Sequence, residues 1–154
     1  MKIHLKPLLV SLLISLGVGG LASFVTSGSY SIYENLQKPA LYPPGWLFPI
    51  VWGILYFLMW ISSYIIFTSN SDSKDNALKF YALQLIVNFF WPILFFNLEL
   101  FWIAFFWLLL LVILVIISIV LFNRINSVSA WLLVPYLIWI LFASYLNLSI
   151  AILN

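Results

Sequence analysis

The side chains that most often do chemistry are nearly absent from this chain of 154 residues. It has no cysteine, hence no thiolate nucleophile, disulfide or cysteine-bound metal. The single histidine, His4, lies in a short basic start with Lys2 and Lys6. Apart from Lys79 at the very start of the third, no Asp, Glu, Lys, Arg or His falls inside the long apolar stretches. General acid–base catalysis, proton relay and ion-coupled transport therefore lack their usual groups, no metal cluster is expected, and no cofactor is implied. What remains is eight Trp, eight Tyr and a few amides. Chemistry among these must use the indole and phenol rings, the ligand's own reactivity, or light.

The spacing of these residues is informative because a polar group in lipid is costly. Gln84, Asn88, Trp91 and Phe95 follow at steps of four, three and four, which is one helix face. Pro49, Trp52, Tyr56, Trp60 and Ser63 share a second face, and Pro135, Trp139, Ala143 and Asn147 repeat every four residues on a third. Each stripe alone reads as glue between helices. Three matched stripes predict a flat, mostly apolar pocket with a few amide and hydroxyl donors, enclosed by the second, third and fifth spans. Trp102, Trp107 and Trp131 sit near span ends, where an interfacial belt is expected.

The elements that must hold these faces are membrane helices. Sixty-six per cent of residues are hydrophobic, 6% are charged, and mean hydropathy is +1.18. No soluble domain of this size hides so much apolar surface. The net charge of +2 gives no reason to expect nucleic acid as a partner. The fold expected is an all-α integral membrane bundle, one domain over 1–154, with spans at about 8–26, 46–67, 78–96, 100–122 and 130–153. The first span could also be read as a signal peptide, but it is long and more spans follow it. Within it Ser11, Ser15, Gly19, Ser23 and Ser27 form a smooth ridge, which fits either packing inside the bundle or a homodimer face. The fourth span carries no polar stripe and is expected to face lipid more fully.

Five spans put Lys2, Lys6, Lys74, Lys79 and Arg124 on one side and only Lys38 on the other. The positive-inside bias then places the N-terminus in the cytoplasm. The long first connection, with Pro39, Pro43 and Pro44, lies on the outer side. Proline fixes φ and restrains the residue before it, so this segment is a shaped loop, expected to lid the pocket.

The residues of that loop and of the helix after it resemble a known family. Tyr33, Leu36, Lys38-Pro39, Pro43-Pro44-Gly45-Trp46, Phe48-Pro49 and Val51-Trp52-Gly53-Ile54-Leu55-Tyr56 are similar to the translocator protein (TspO) family, also called peripheral-type benzodiazepine receptors. Asn88, Trp91-Pro92 and Phe95-Phe96 match its third helix. Pro135-Tyr136-Leu137-Ile138-Trp139, Phe142-Ala143 and Leu146-Asn147 match its fifth. The resemblance implies a five-helix receptor or sensor, commonly a homodimer, that binds porphyrins such as protoporphyrin IX and isoquinoline-carboxamide or benzodiazepine-type ligands. It also implies light-dependent porphyrin breakdown in some members. Alternatives are a transporter of tetrapyrroles or other lipophiles, and a non-catalytic scaffold. Carried over by motif, the ligand-binding residues are Tyr33, Pro43, Trp52, Tyr56, Asn88, Trp91, Trp139 and Ala143, with Trp52 and Trp139 as candidates for the photochemical, catalytic role. Lys38 could pair with a porphyrin propionate or simply reach the interface. Tyr145 is followed by no cation, so cholesterol is not expected as a strong ligand. The short tails fit a bacterial cytoplasmic membrane; the outer membrane of a bacterium or mitochondrion is the alternative.

Overall fold

In lipid a helix satisfies its own backbone hydrogen bonds, and the apolar runs of this chain have no other way to do so. A computed structural model describes residues 3–26 and 33–154. The helices are α1 (Leu5–Thr26), α2 (Leu47–Phe67), α3 (Lys74–Pro92), α4 (Phe101–Asn123), α5 (Ser127–Leu132) and α6 (Val134–Leu153). The third helix continues from Pro92 as a π-helical turn, Ile93–Asn97. Five spans result, the fifth made of α5 and α6 together. Ser27 and the start of the first loop, residues 27–32, lie outside the described residues, as does Lys2.

Prolines decide where the helices change course. Pro92 has no N–H to give to the carbonyl of Asn88. The ladder slips there to a wider register, in which Leu98 N–H bonds Ile93 O at 3.0 Å. Glu99, at φ 54°, then reverses the chain into α4. Pro135 likewise leaves the Trp131 carbonyl without a helical donor, and the fifth span steps at Leu133. Asn126 caps α5 by accepting from Ser129 N–H at 3.2 Å.

Around the bundle the spans run first, second, fifth, fourth, third and back to the first. The chain ends pin this order. His4 N–H donates to Tyr64 Oη at 2.7 Å, and Asn154 exchanges two hydrogen bonds with the backbone of Gln37 in the first loop. The second and fifth spans approach closely only along α5, where Ser62 and Ser129 bond each other. Above that point aromatic rings bridge the gap between α2 and α6.

The fourth span is less buried than the second, third and fifth, but the first is the least buried of all: 17% of its hydrophobic window against 33% for the fourth. The fourth also has a fully enclosed apolar face of Ala104, Leu108, Leu111, Val115 and Phe122. Its lack of a polar stripe reflects an apolar interior rather than the absence of one. Ser11 and Ser15 of the ridge are buried against the bundle, and Gly19 lies directly against Tyr56. Ser11, Ser15 and Gly19 of the ridge thus pack within the chain, while Ser23 is exposed and lines the cavity described below.

Candidate functional site

The site starts from the close approach at Gly19. A Cβ there would sit 2.7 Å from Tyr56 Cδ2, so only glycine lets α1 and α2 meet at this level. Beyond that contact, toward the first loop, the helices part. Gly20 and Gly53 have nothing within 4 Å of a would-be Cβ. The gap between them is a cavity of about 230 Å³ walled by α1, α2 and the end of α3. Its small-residue wall is Gly19, Gly20, Ala22 and Ser23, and its aromatic wall is Phe48, Trp52, Tyr56, Trp91 and Phe96. Exposed Leu16, Gly20 and Gly53 at its margin open it sideways toward lipid.

Trp52 is the hub of the aromatic wall. Its ring lies 5.8 Å from Tyr56, 6.5 Å from Trp91 and 6.2 Å from Tyr136. These are the separations at which ring pairs attract beyond simple burial. The polar groups beneath are committed to one another. Tyr56 Oη donates to Asn88 Oδ1 at 2.8 Å, Asn88 Nδ2 donates to Tyr136 Oη at 2.6 Å, and Tyr136 Oη donates to Gln84 Oε1 at 2.7 Å. Trp91 Nε1 donates to Asn147 Oδ1 at 3.0 Å, and Asn147 Nδ2 to Phe101 O at 2.8 Å. In a dry interior such a chain fixes helix register, because each member would be costly unpaired. The amides therefore hold the wall in place, and the face offered to a ligand is largely ring surface.

The first loop packs on the end of the aromatic wall. Tyr33, 2% exposed, donates to the Pro43 carbonyl at 2.7 Å. Its ring meets Phe48 edge-on at 5.2 Å and Phe96 at 6.4 Å, so it stands on two wall residues. Burial pushes the Tyr33 phenol above its ordinary range, and the Glu34 carboxylate adds to this, which keeps the hydroxyl a donor. Lys38 sits 5.1 Å from the ring centres of both Tyr33 and Tyr42, and its Nζ donates to the carbonyls of Glu34 and Leu36. The loop's one lysine is thus used to fold the loop.

Of the residues expected from sequence, Trp52, Tyr56, Asn88 and Trp91 line the cavity. Tyr33 and Pro43 are not among the cavity's lining residues; they bond each other in the first loop, where Tyr33 packs on Phe48 and Phe96 of the wall. Trp139 lies one ring behind, 5.9 Å from Phe48 and stacked on Phe142 at 5.7 Å. Its Nε1 has no hydrogen-bond partner among the described residues. Ala143 is buried in the core and does not reach the cavity. The fifth span, expected to wall the pocket, is replaced there by the first. Its inward face runs Tyr136, Ile140, Ala143, Asn147 rather than through Pro135, which is exposed. Tyr136 could have been found, since those four residues also step by four, three and four. Gly20, Ala22 and Ser23 could not, because small residues carry no chemical signal. Trp107 is not a belt residue: its Nε1 donates to Val87 O at 2.7 Å and joins α4 to α3. No group of acids or histidines among the described residues could hold a metal ion.

Comparison with known proteins gives a consistent answer. The TspO/MBR family profile matches residues 10–153. The tryptophan-rich protein TspO of Archaeoglobus fulgidus is 40% identical, covering 98% of this chain and 99% of its own. The translocator protein of Bos taurus is 37% identical over 89% of this chain and 83% of its own. The tryptophan-rich sensory protein of Cereibacter sphaeroides is 34% identical over 79% and 76%.

Proposed function

The chain belongs to the TspO/MBR family, and from that premise we propose that it is a membrane receptor for a flat lipophilic ligand of the porphyrin class. The single observation behind this reading is the wall centred on Trp52, a broad aromatic surface open to the bilayer whose lining residues include no acidic, basic or metal-ligating side chain. A cavity of about 230 Å³ lies below the usual pocket range of about 300–1,000 Å³. A tetrapyrrole therefore lies partly in the cavity, with its remaining edge in lipid. Isoquinoline-carboxamide and benzodiazepine-type ligands, being smaller and flat, suit the same wall. Trp52, Tyr56, Asn88 and Trp91 form the contact surface, and Tyr33 and Pro43 its cap. Trp139 supports the wall from behind Phe48, and Ala143 lies in the core. The N-terminus is cytoplasmic, so the cap lies on the outer face.

A second reading, light-dependent breakdown of the bound porphyrin, rests on the connected rings Trp52, Tyr56, Trp91 and Tyr136. An indole at the cavity surface can give an electron to an excited macrocycle, with dioxygen as the oxidant. Dark titration with protoporphyrin IX tests binding. Saturable quenching of Trp fluorescence is expected, and Gly53→Leu, which adds bulk at a cavity-lining position where a Cβ meets no atom within 4 Å, removes it. Quenching unaltered by Gly53→Leu would place the ligand elsewhere. Illumination of the complex tests the chemistry. Trp52→Phe slows bleaching while binding persists; bleaching equal to the parent removes Trp52 as the electron donor.

A further inference from the structure

The bundle has a second recess, on the other half of α1 and unconnected with the ligand reading above. Val10, Ile14, Phe67, Leu78, Ala82 and Leu85 line a groove of about 250 Å³ whose surface is almost wholly apolar. Its floor is closed by hydroxyls already in use. Tyr81 Oη bonds Ser15 Oγ at 2.7 Å, Ser11 Oγ donates to Leu8 O, and Ser63 Oγ donates to Trp60 O. The groove thus offers a ligand no polar group, and its open margin is the exposed apolar surface of Val10, Ile14, Phe67 and Ala82. A void of this kind facing lipid does not stay empty, because its lining forfeits dispersion contacts until a chain of matching width fills it.

The mouth of the groove is charged. Lys74 Nζ donates to Phe67 O and Ser69 O, each at 3.3 Å, and Phe67 is itself a lining residue. An ammonium has three N–H donors, and the third finds no protein acceptor among the described residues. Lys6 stands one turn before Val10, and Lys79 follows Leu78. With Arg124 the described residues on this side carry four cations against Asp72 and Asp75, so this end of the bundle is net positive and attracts anions. An apolar slot ending at a half-buried ammonium is complementary to an amphiphile with a negative head.

We propose that this groove is a binding site for one anionic phospholipid, with an acyl chain along α1 and α3 and the phosphate on Lys74. The bound lipid would hold α1, the least buried span, against the bundle.

Native mass spectrometry of the full chain, loaded with equal phosphatidylglycerol and phosphatidylcholine of the same acyl chains, tests the assignment. Retention of one phosphatidylglycerol in preference to phosphatidylcholine is expected. Lys74→Gln, a change on the hydrated turn, lowers that preference about fivefold, the usual effect of one cation at a membrane surface. Ala82→Trp, which fills the groove from an exposed position, lowers retention of both lipids while circular dichroism confirms intact helices. Equal retention of the two lipids overturns the proposal, as does a preference that Lys74→Gln leaves unchanged. A lipid-free dimer that Ala82→Trp dissociates would instead assign the groove to a second copy of the chain.

Discussion

Gly19 and Gly20 are neighbours in sequence with opposite surroundings, and their alanine variants should move stability in opposite directions. A Cβ on Gly19 falls 2.7 Å from Tyr56 Cδ2, 2.8 Å from Cε2 and 3.1 Å from Cγ. Carbon atoms pack best at about 3.5–4.0 Å, so either the ring or α1 must give by about 1 Å. The ring is poorly placed to do so. Its hydroxyl is tied to Asn88 Oδ1 at 2.8 Å, and Asn88 is tied to Tyr136 at 2.6 Å. Overpacking of this kind costs about 1–3 kcal/mol. Alanine for glycine in a helix returns at most about 1 kcal/mol, and Gly20→Ala receives the same return with nothing to clash against. Comparing the two variants cancels the propensity gain and leaves the steric cost. At about 2 kcal/mol, Gly19→Ala should unfold about 4–8 °C below Gly20→Ala in the same detergent. Equal midpoints would mean that α1 does not meet α2 through Tyr56, and the cavity wall built on that contact would fall with it.

Asn88→Ala strips the acceptor from Tyr56 and the donor from Tyr136; the loss expected is about 1–3 kcal/mol, read as a lower thermal midpoint. Trp107→Phe loses the bond to Val87 O and should cost about 1 kcal/mol, whereas Trp131→Phe, at an exposed position, should change the midpoint little. Tyr33 makes the packing of the first loop pH-dependent. Its folded pKa is raised, so its contribution is complete below the ordinary phenol value of about 10 and is lost as pH rises toward the folded value. Proteolysis of the first loop should therefore accelerate in strong base in the parent, and Tyr33→Phe should be more susceptible at neutral pH with a flatter pH profile.

Much of the fold was legible because lipid imposes rules that act along the chain. Length and hydropathy define a span, and a helix has one way to satisfy its backbone. The period of 3.6 placed Gln84, Asn88, Trp91 and Phe95 on one face, and all four are buried. The effect of Pro92 followed from its missing N–H, although the shift to a π-helical turn rather than a plain bend did not. Tyr136 was less legible because Pro135 offers an equally regular stripe. Only the packing of α6 against α4 decides which of the two points inward.

The sequence by itself determined the solvent, the five spans, the polar-aromatic stripes and the scarcity of ionisable residues within them. Tertiary structure alone decided that the first span, with its glycines and serines, walls the cavity in place of the fifth. It alone decided that the amides bond one another and that Lys38 folds the loop. The reason is the same in each case. A span is a property of consecutive residues, whereas a cavity is the space left between helices. Whether a polar group is free or spent depends on a partner dozens of residues away: 32 positions from Tyr56 to Asn88, and 56 from Trp91 to Asn147.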